Sequence, residues 1–246
     1  MKKMKLAVVF AAFVSVFGFS SCLDSGESGP QTNSLLVTVG DYMGIPVFYP
    51  DCMPGYVLDP SVVDLSQYGI SSSARRALIT YTLVEGQAND AKKLKINLVA
   101  GSCVEISPVY ISAAPDTFET KGYTSTIKQF DHVQPFYPYY PAYPNIYAEY
   151  GYLTFGFSYM ADKVGQFGLA FDRISNDTLY LDLKAKTEGS SRNGYHWLTC
   201  DLSRSREYYE VRPTVDDSIR ITVSAKVSTM PVEGEVLSVT TAYKKN

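Results

Sequence analysis

Apolar residues along this chain follow two patterns. Between Leu6 and Phe19 they run together, softened only by Ser15 and Gly18; from Leu35 onward they come in short bursts that alternate with polar residues. A period of two marks half-buried strands. Residues 35–39, 45–49, 77–84, 94–99 and 104–111 carry it in the first half, separated by turn-forming Gly, Asn and Asp. So many short strands within residues 34–112 predict a small Greek-key barrel of the OB type. The pattern resumes at 152–159, 167–171, 178–183, 195–202, 219–223 and 236–243. Strands at that spacing predict a β-sandwich over 146–246. The expected fold class is therefore all-β, an OB-like barrel followed by a β-sandwich. Residues 113–145 are expected to be a linker, and only 59–74 has room for a short helical turn.

The leading apolar run has a different meaning. Lys2, Lys3 and Lys5 precede it, and Ser20-Ser21-Cys22 follows it. It is short for a membrane span, and small residues before a cleavage point mark a signal peptide over residues 1–21. A cysteine at the first mature position is the bacterial lipoprotein arrangement, with Cys22 as the lipidation site. Each buried methylene of an acyl chain contributes about 0.8 kcal/mol, so several chains anchor for good. An ordinary secretory leader with a chance cysteine is the competing reading. Residues 22–33 are polar, rich in Gly and Ser, and predict a flexible tether. Leu23 stands where aspartate usually signals retention in the inner membrane, so an outer-membrane lipoprotein is expected, with its periplasmic or surface face left open.

Charge narrows the partners. The leader removes three lysines, leaving 19 basic against 25 acidic residues and a net charge of −6. That disfavours nucleic acid, whose affinity rests on clustered Lys and Arg. Cys52, Cys103 and Cys200 remain beside Cys22, with no spacing typical of a metal site. Small buried thiols are the default, and only Cys52 with Cys103 would pair within one expected domain. Neither His132 nor His196 sits in a hydrolase or zinc motif, and Glu207 and Glu210 among Arg204, Arg206 and Arg212 read as surface ion pairs. No catalytic residue, cofactor or metal is expected.

Several stretches resemble NigD-like lipoproteins: the run Arg75-Arg76-Ala77-Leu78-Ile79-Thr80-Tyr81-Thr82-Leu83, then Gly151-Tyr152-Leu153, Asp177-Thr178-Leu179-Tyr180-Leu181 and Asp201-Leu202-Ser203, together with the lipobox. The resemblance covers most of the mature chain. It implies an N-terminal OB-like domain and a C-terminal β-sandwich and brings no catalytic residues. Two departures from the family pattern stand out. No acidic-glycine hairpin is evident at 42–50, and residues 130–147 read as an addition.

That addition holds the oddest stretch, Pro135-Phe136-Tyr137-Pro138-Tyr139-Tyr140-Pro141-Ala142-Tyr143-Pro144. Proline at every third residue matches the threefold polyproline II period and would align Tyr137, Tyr140 and Tyr143 on one edge. Such a ladder, if exposed, would suit a protein or sugar surface; the plainer alternative is a stiff brace whose rings pack. The expected function is a non-enzymatic binding or accessory module for an envelope protein or glycan, held to the membrane through Cys22. The alternative is a structural, fimbrillin-like component of a surface assembly.

Overall fold

The computed structural model describes residues 32–88, 91–113, 118, 121–123, 127–135, 143–163, 165–189, 191–227 and 235–245. The expected signal peptide, the expected lipidation site Cys22 and nearly all of the expected tether lie outside them. From Thr32 the chain forms one compact unit.

Six strands build the first half: β1 (Thr32–Tyr42), β2 (Ile45–Pro50), β3 (Val57–Asp59), β4 (Arg76–Leu83), β5 (Lys93–Leu98) and β6 (Val104–Ile106). Five of them close on themselves in the order β1-β2-β3-β5-β4, because β1 also pairs β4 from Thr32↔Thr82 to Thr38↔Arg76. The β3–β5 pairing is parallel and the others are antiparallel. This is the OB-type barrel that the strand spacing predicts. Alternation decides what fills it. Leu35, Val37, Phe48, Leu58, Ala77, Ile79, Tyr81 and Ile96 point inward, and Leu65 and Ile70, flanking the 3-10 turn Ser66–Tyr68, join the same core. Each such side chain contributes roughly 1.5–3 kcal/mol on burial. The β1–β2 connection is an acidic-glycine hairpin after all. Met43 and Gly44 both take positive φ, and Asp41 Oδ1 accepts from the Gly44 amide at 2.9 Å. Its acid precedes Tyr42, outside the window in which the sequence pattern places it.

The second half is a sandwich of two sheets. One runs β13 (Asn193–Asp201), β10 (Tyr152–Met160), β8 (Gln129–Asp131), with β9 (Ile146–Glu149) also on β10. The other runs β15 (Val236–Lys244), β14 (Ser218–Lys226), β12 (Thr178–Lys186), β11 (Gln166–Ser175), β7 (Ile111–Ser112). Leu153, Phe155 and Phe157 of β10 meet Leu179, Leu181, Ile219, Ile221 and Val223 between the sheets. A short α-helix, α1, spans Arg206–Glu210, and Ser205 caps it through the Tyr208 amide.

Three expectations are corrected here. The strand expected over 104–111 breaks at Ser107-Pro108, and its second part belongs to the sandwich: Val109 bridges Cys200 and Ile111 pairs Leu169. The expected linker is in part sandwich, since β8 pairs β10 and Ile127 and Val133 are fully buried. Ile127 and Phe130 belong to the sandwich core, which a solvated spacer would leave unfilled. Finally, β10 is buried along almost its whole length rather than on alternate residues. One face looks into the sandwich and the other, with Tyr152 and Thr154, meets Arg76 of the barrel. Gly156 on that outer side is required by contact: an added Cβ would sit 2.7 Å from the Asp131 carbonyl oxygen and 2.9 Å from that of His132.

Candidate functional site

Tyr137 and Tyr140 lie outside the described residues, so the ladder is judged on Tyr143, and there it fails. Tyr143 is 4% exposed. Its ring stacks on Tyr147 at 5.5 Å and 19°, and its hydroxyl accepts from the Leu36 amide at 3.1 Å. Burial drives its phenol well above the usual range. The reason is local. β1 leaves the Leu36 N–H free for a partner from the sandwich half, and a buried amide demands one. At this position the stretch braces the barrel, and the Tyr143 ring does not face solvent.

Tyr143 belongs to a junction between barrel and sandwich. Leu36 and Val133 share its cluster, with Cys52, Leu78, Ile106, Tyr147 and Trp197 packed against it. Beside the cluster lies Arg76, wholly buried, in a bidentate pair with Asp51 at 2.6 Å for both Nη1–Oδ1 and Nη2–Oδ2. Thr38 accepts from Nη1 at 2.9 Å and Thr154 from Nη2 at 3.4 Å, while Tyr147 donates to Asp51 at 3.0 Å. The guanidinium carbon stands 4.9 Å over the Tyr152 ring. Burial alone would lower the Arg76 pKa, but the Asp51 carboxylate overrides it and holds the group charged. The network welds barrel strand to sandwich strand, and sequence reasoning missed it. The signal was present: Leu36 and Leu78 put apolar residues on the barrel's outer face, where an isolated barrel would be polar.

The remaining reactive groups are packed. Cys52, Cys103 and Cys200 are free thiols; burial pushes Cys52 up to about 11 and Cys200 higher still. His196 stacks on Phe167 at 4.9 Å, and burial lowers its pKa. His132 Nδ1 lies 3.0 Å from the Tyr143 carbonyl. Among the described residues no three His, Cys, Asp or Glu side chains converge as metal ligands.

Exposed on the barrel is the part that carries the β1–β2 turn. Around the β1–β2 turn, Tyr42 is 55% exposed and Met43 87%, with Ile45 beside them. Lys93 Nζ lies 5.1 Å from the Tyr42 ring centre and 2.9 Å from Asp59 Oδ2, and Lys92 Nζ stands 4.1 Å over the Tyr56 ring. Burial opposes the Asp59 charge, but hydrogen bonds from Lys93 and the Ser61 amide outweigh it and its pKa falls. Exposed apolar side chains gathered in one place usually mark a contact surface.

No family model matches the sequence. No curated protein matches it either. Solved structures do match the fold. A candidate lipoprotein from Bacteroides fragilis is 18% identical, covering 86% of this chain and 97% of its own, with a TM-score of 0.56. A NigD-like immunity protein from Bacteroides caccae is 16% identical over 90% of this chain and 100% of its own, TM-score 0.53. A candidate toxin-related protein from Parabacteroides distasonis is 15% identical over 87% and 94%, TM-score 0.54. The chain thus shares the architecture of a NigD-like protein from one end of that protein to the other, in line with the resemblance of its strand motifs.

Proposed function

We propose that this chain is an outer-membrane lipoprotein, anchored through Cys22, whose barrel-and-sandwich body serves as a non-enzymatic binding or accessory module for an envelope protein or glycan. The observation that carries the reading is the pairing of an open aromatic and lysine-bearing barrel face with a junction that locks the barrel in place. A binding surface gains affinity when its ordering is already complete before the ligand arrives. The bidentate Arg76–Asp51 pair and the Tyr143 brace, on the covered part of the barrel, supply that order. The fold shared with a candidate lipoprotein supports the anchoring part of the reading.

Two measurements test it. In cells fed a labelled fatty acid, the wild-type chain should take the label and sediment with outer membrane, and Cys22→Ala should do neither; label retained on the variant refutes the anchor. A photo-crosslinking residue at position 43 in intact cells should capture an envelope component. A clean negative there, with the chain in its native envelope, would remove the binding role.

A further inference from the structure

We propose that the outer face of the barrel around Tyr42, Tyr56, Lys92, Lys93 and Lys95 recognises an anionic carbohydrate chain. The inference rests on the reading of the protein as a binding module and names where the ligand lies and what it is made of.

Placement follows from the pleat. In β1 the inward positions are Leu35, Val37 and Val39, so Tyr42 falls on the outer face with Leu36 and Thr38. The sandwich covers Leu36 and Thr38, through Tyr143 and the Arg76 network, and stops short of Tyr42. In β5, Leu94, Ile96 and Leu98 turn inward and Lys93 and Lys95 turn out. The parallel register Val57↔Lys93 and Asp59↔Lys95 then lays both lysines beside β3, and Tyr56 follows on with Lys92 above its ring. The result is a surface on which the exposed Tyr42 ring and the half-buried Tyr56 ring each have a lysine ammonium close by.

Charge selects the sign of the ligand. Lys93 is engaged by Asp59, but Lys92 and Lys95 have no ion-pair partner among the described residues. They stand on a body whose mature net charge is −6, so this is a face that an anion can approach.

The shortness of the free backbone edge among the described residues selects the kind of polymer. An acidic peptide is most readily held by adding itself as a strand to a sheet edge. The pairing of β1 toward β4 ends at Val39, whose amide donates to the Arg75 carbonyl at 2.9 Å, so the edge left beside Tyr42 is only Gly40–Tyr42, too short to seat a peptide strand. On β5 the backbone of Lys95 is taken as well: its amide donates to Gln87 Oε1 at 2.6 Å, and its carbonyl accepts from Gln87 Nε2 at 2.9 Å and from the Val84 amide at 3.2 Å. Rings and charged tips are then the main means of recognition. Ring faces take the C–H face of a sugar, lysines take its carboxylate or sulfate, and the outer face of an OB barrel is a surface open enough for a chain laid across it. Nucleic acid fits less well, since a few lysines on an acidic body supply little counterion release.

The test uses the full lipidated chain in detergent. Binding is measured by calorimetry to polygalacturonate and to dextran sulfate, against neutral dextran, polyglutamate and a single-stranded oligonucleotide. The expected result is binding to at least one anionic polysaccharide and none to dextran. Lys92→Gln with Lys95→Gln, and separately Tyr42→Ala, should each weaken it about tenfold. Unchanged melting temperatures of the variants guard against misfolding. Equal binding to polyglutamate or to the oligonucleotide, or indifference to Tyr42→Ala, would reduce the face to charge alone and overturn the proposal. Binding to none of the polymers also overturns it. In that event a protein crosslinked from position 43 in cells leaves the binding-module reading standing, and no crosslink removes both.

Discussion

Replacing Asp51 by alanine would strand the Arg76 guanidinium in the interior with its charge intact. Arg76 has no exposed surface, and its Nε already lacks a hydrogen-bond partner. The substitution removes both short carboxylate bonds and the acceptor of the Tyr147 hydroxyl, leaving only Thr38 and the long contact to Thr154. Breaking a buried pair from one side destabilises by about 3–5 kcal/mol, because an uncompensated charge remains. For a body of this size each kcal/mol lowers the melting temperature by about 2–4 °C, so Asp51→Ala should lose about 6–20 °C. The double change Asp51→Leu with Arg76→Met removes both charges. It should recover most of that loss, since a well-packed apolar pair is often as stable as the ion pair it replaces. Urea titration followed by the fluorescence of Trp197, the chain's single tryptophan, is the assay, because that ring packs against the junction cluster. The single variant should shift the midpoint strongly with little change in slope. A single-variant loss under about 1 kcal/mol, or a double variant no better than the single, would refute the view that the charge is truly buried.

Three further outcomes are expected. Tyr143→Phe leaves the Leu36 amide unpartnered and should lower stability by about 1–3 kcal/mol in the same titration, whereas Tyr143→Ala, losing the ring as well, should lose about 3–5 kcal/mol; a neutral Tyr143→Phe would mean that water reaches this amide. At pH 8 a thiol reagent should label the folded protein slowly, since burial holds the Cys52 and Cys200 thiols protonated, and should find three thiols after denaturation; fast labelling of native Cys52 counts against its raised pKa. His196 has a folded pKa below its ordinary 6.5, so the unfolded chain binds the proton better; its contribution to stability is complete above about pH 6.5 and is lost as pH falls, and His196→Gln should flatten that part of the pH–stability curve.

Sequence alone determined the elements and their division. Period-two alternation placed most strands within a few residues, because inward positions such as Val37, Ile79, Ile96, Leu181 and Val223 must be apolar whatever surrounds them. The same local pattern announced barrel and sandwich as separate sets of strands. Gly151 entered only through the resemblance motif Gly151-Tyr152-Leu153; in the fold Tyr150 and Gly151 turn between β9 and β10 with positive φ. What the local pattern left open was everything set by distant partners. Closure of β1 on β4 and the parallel pairs β3–β5 and β12–β14 join residues far apart, which no local period encodes. Arg76 reads as a surface residue because, with Ala77 and Ile79 inward, it must point out of the barrel. Only the sandwich lying on that face turns outward into buried. The same event removed Tyr143 from any ladder and left Tyr42, on the same side of β1 but beyond the covered part, as the exposed ring. One strand face is thus core at Leu36 and surface at Tyr42, and tertiary contact alone makes the difference.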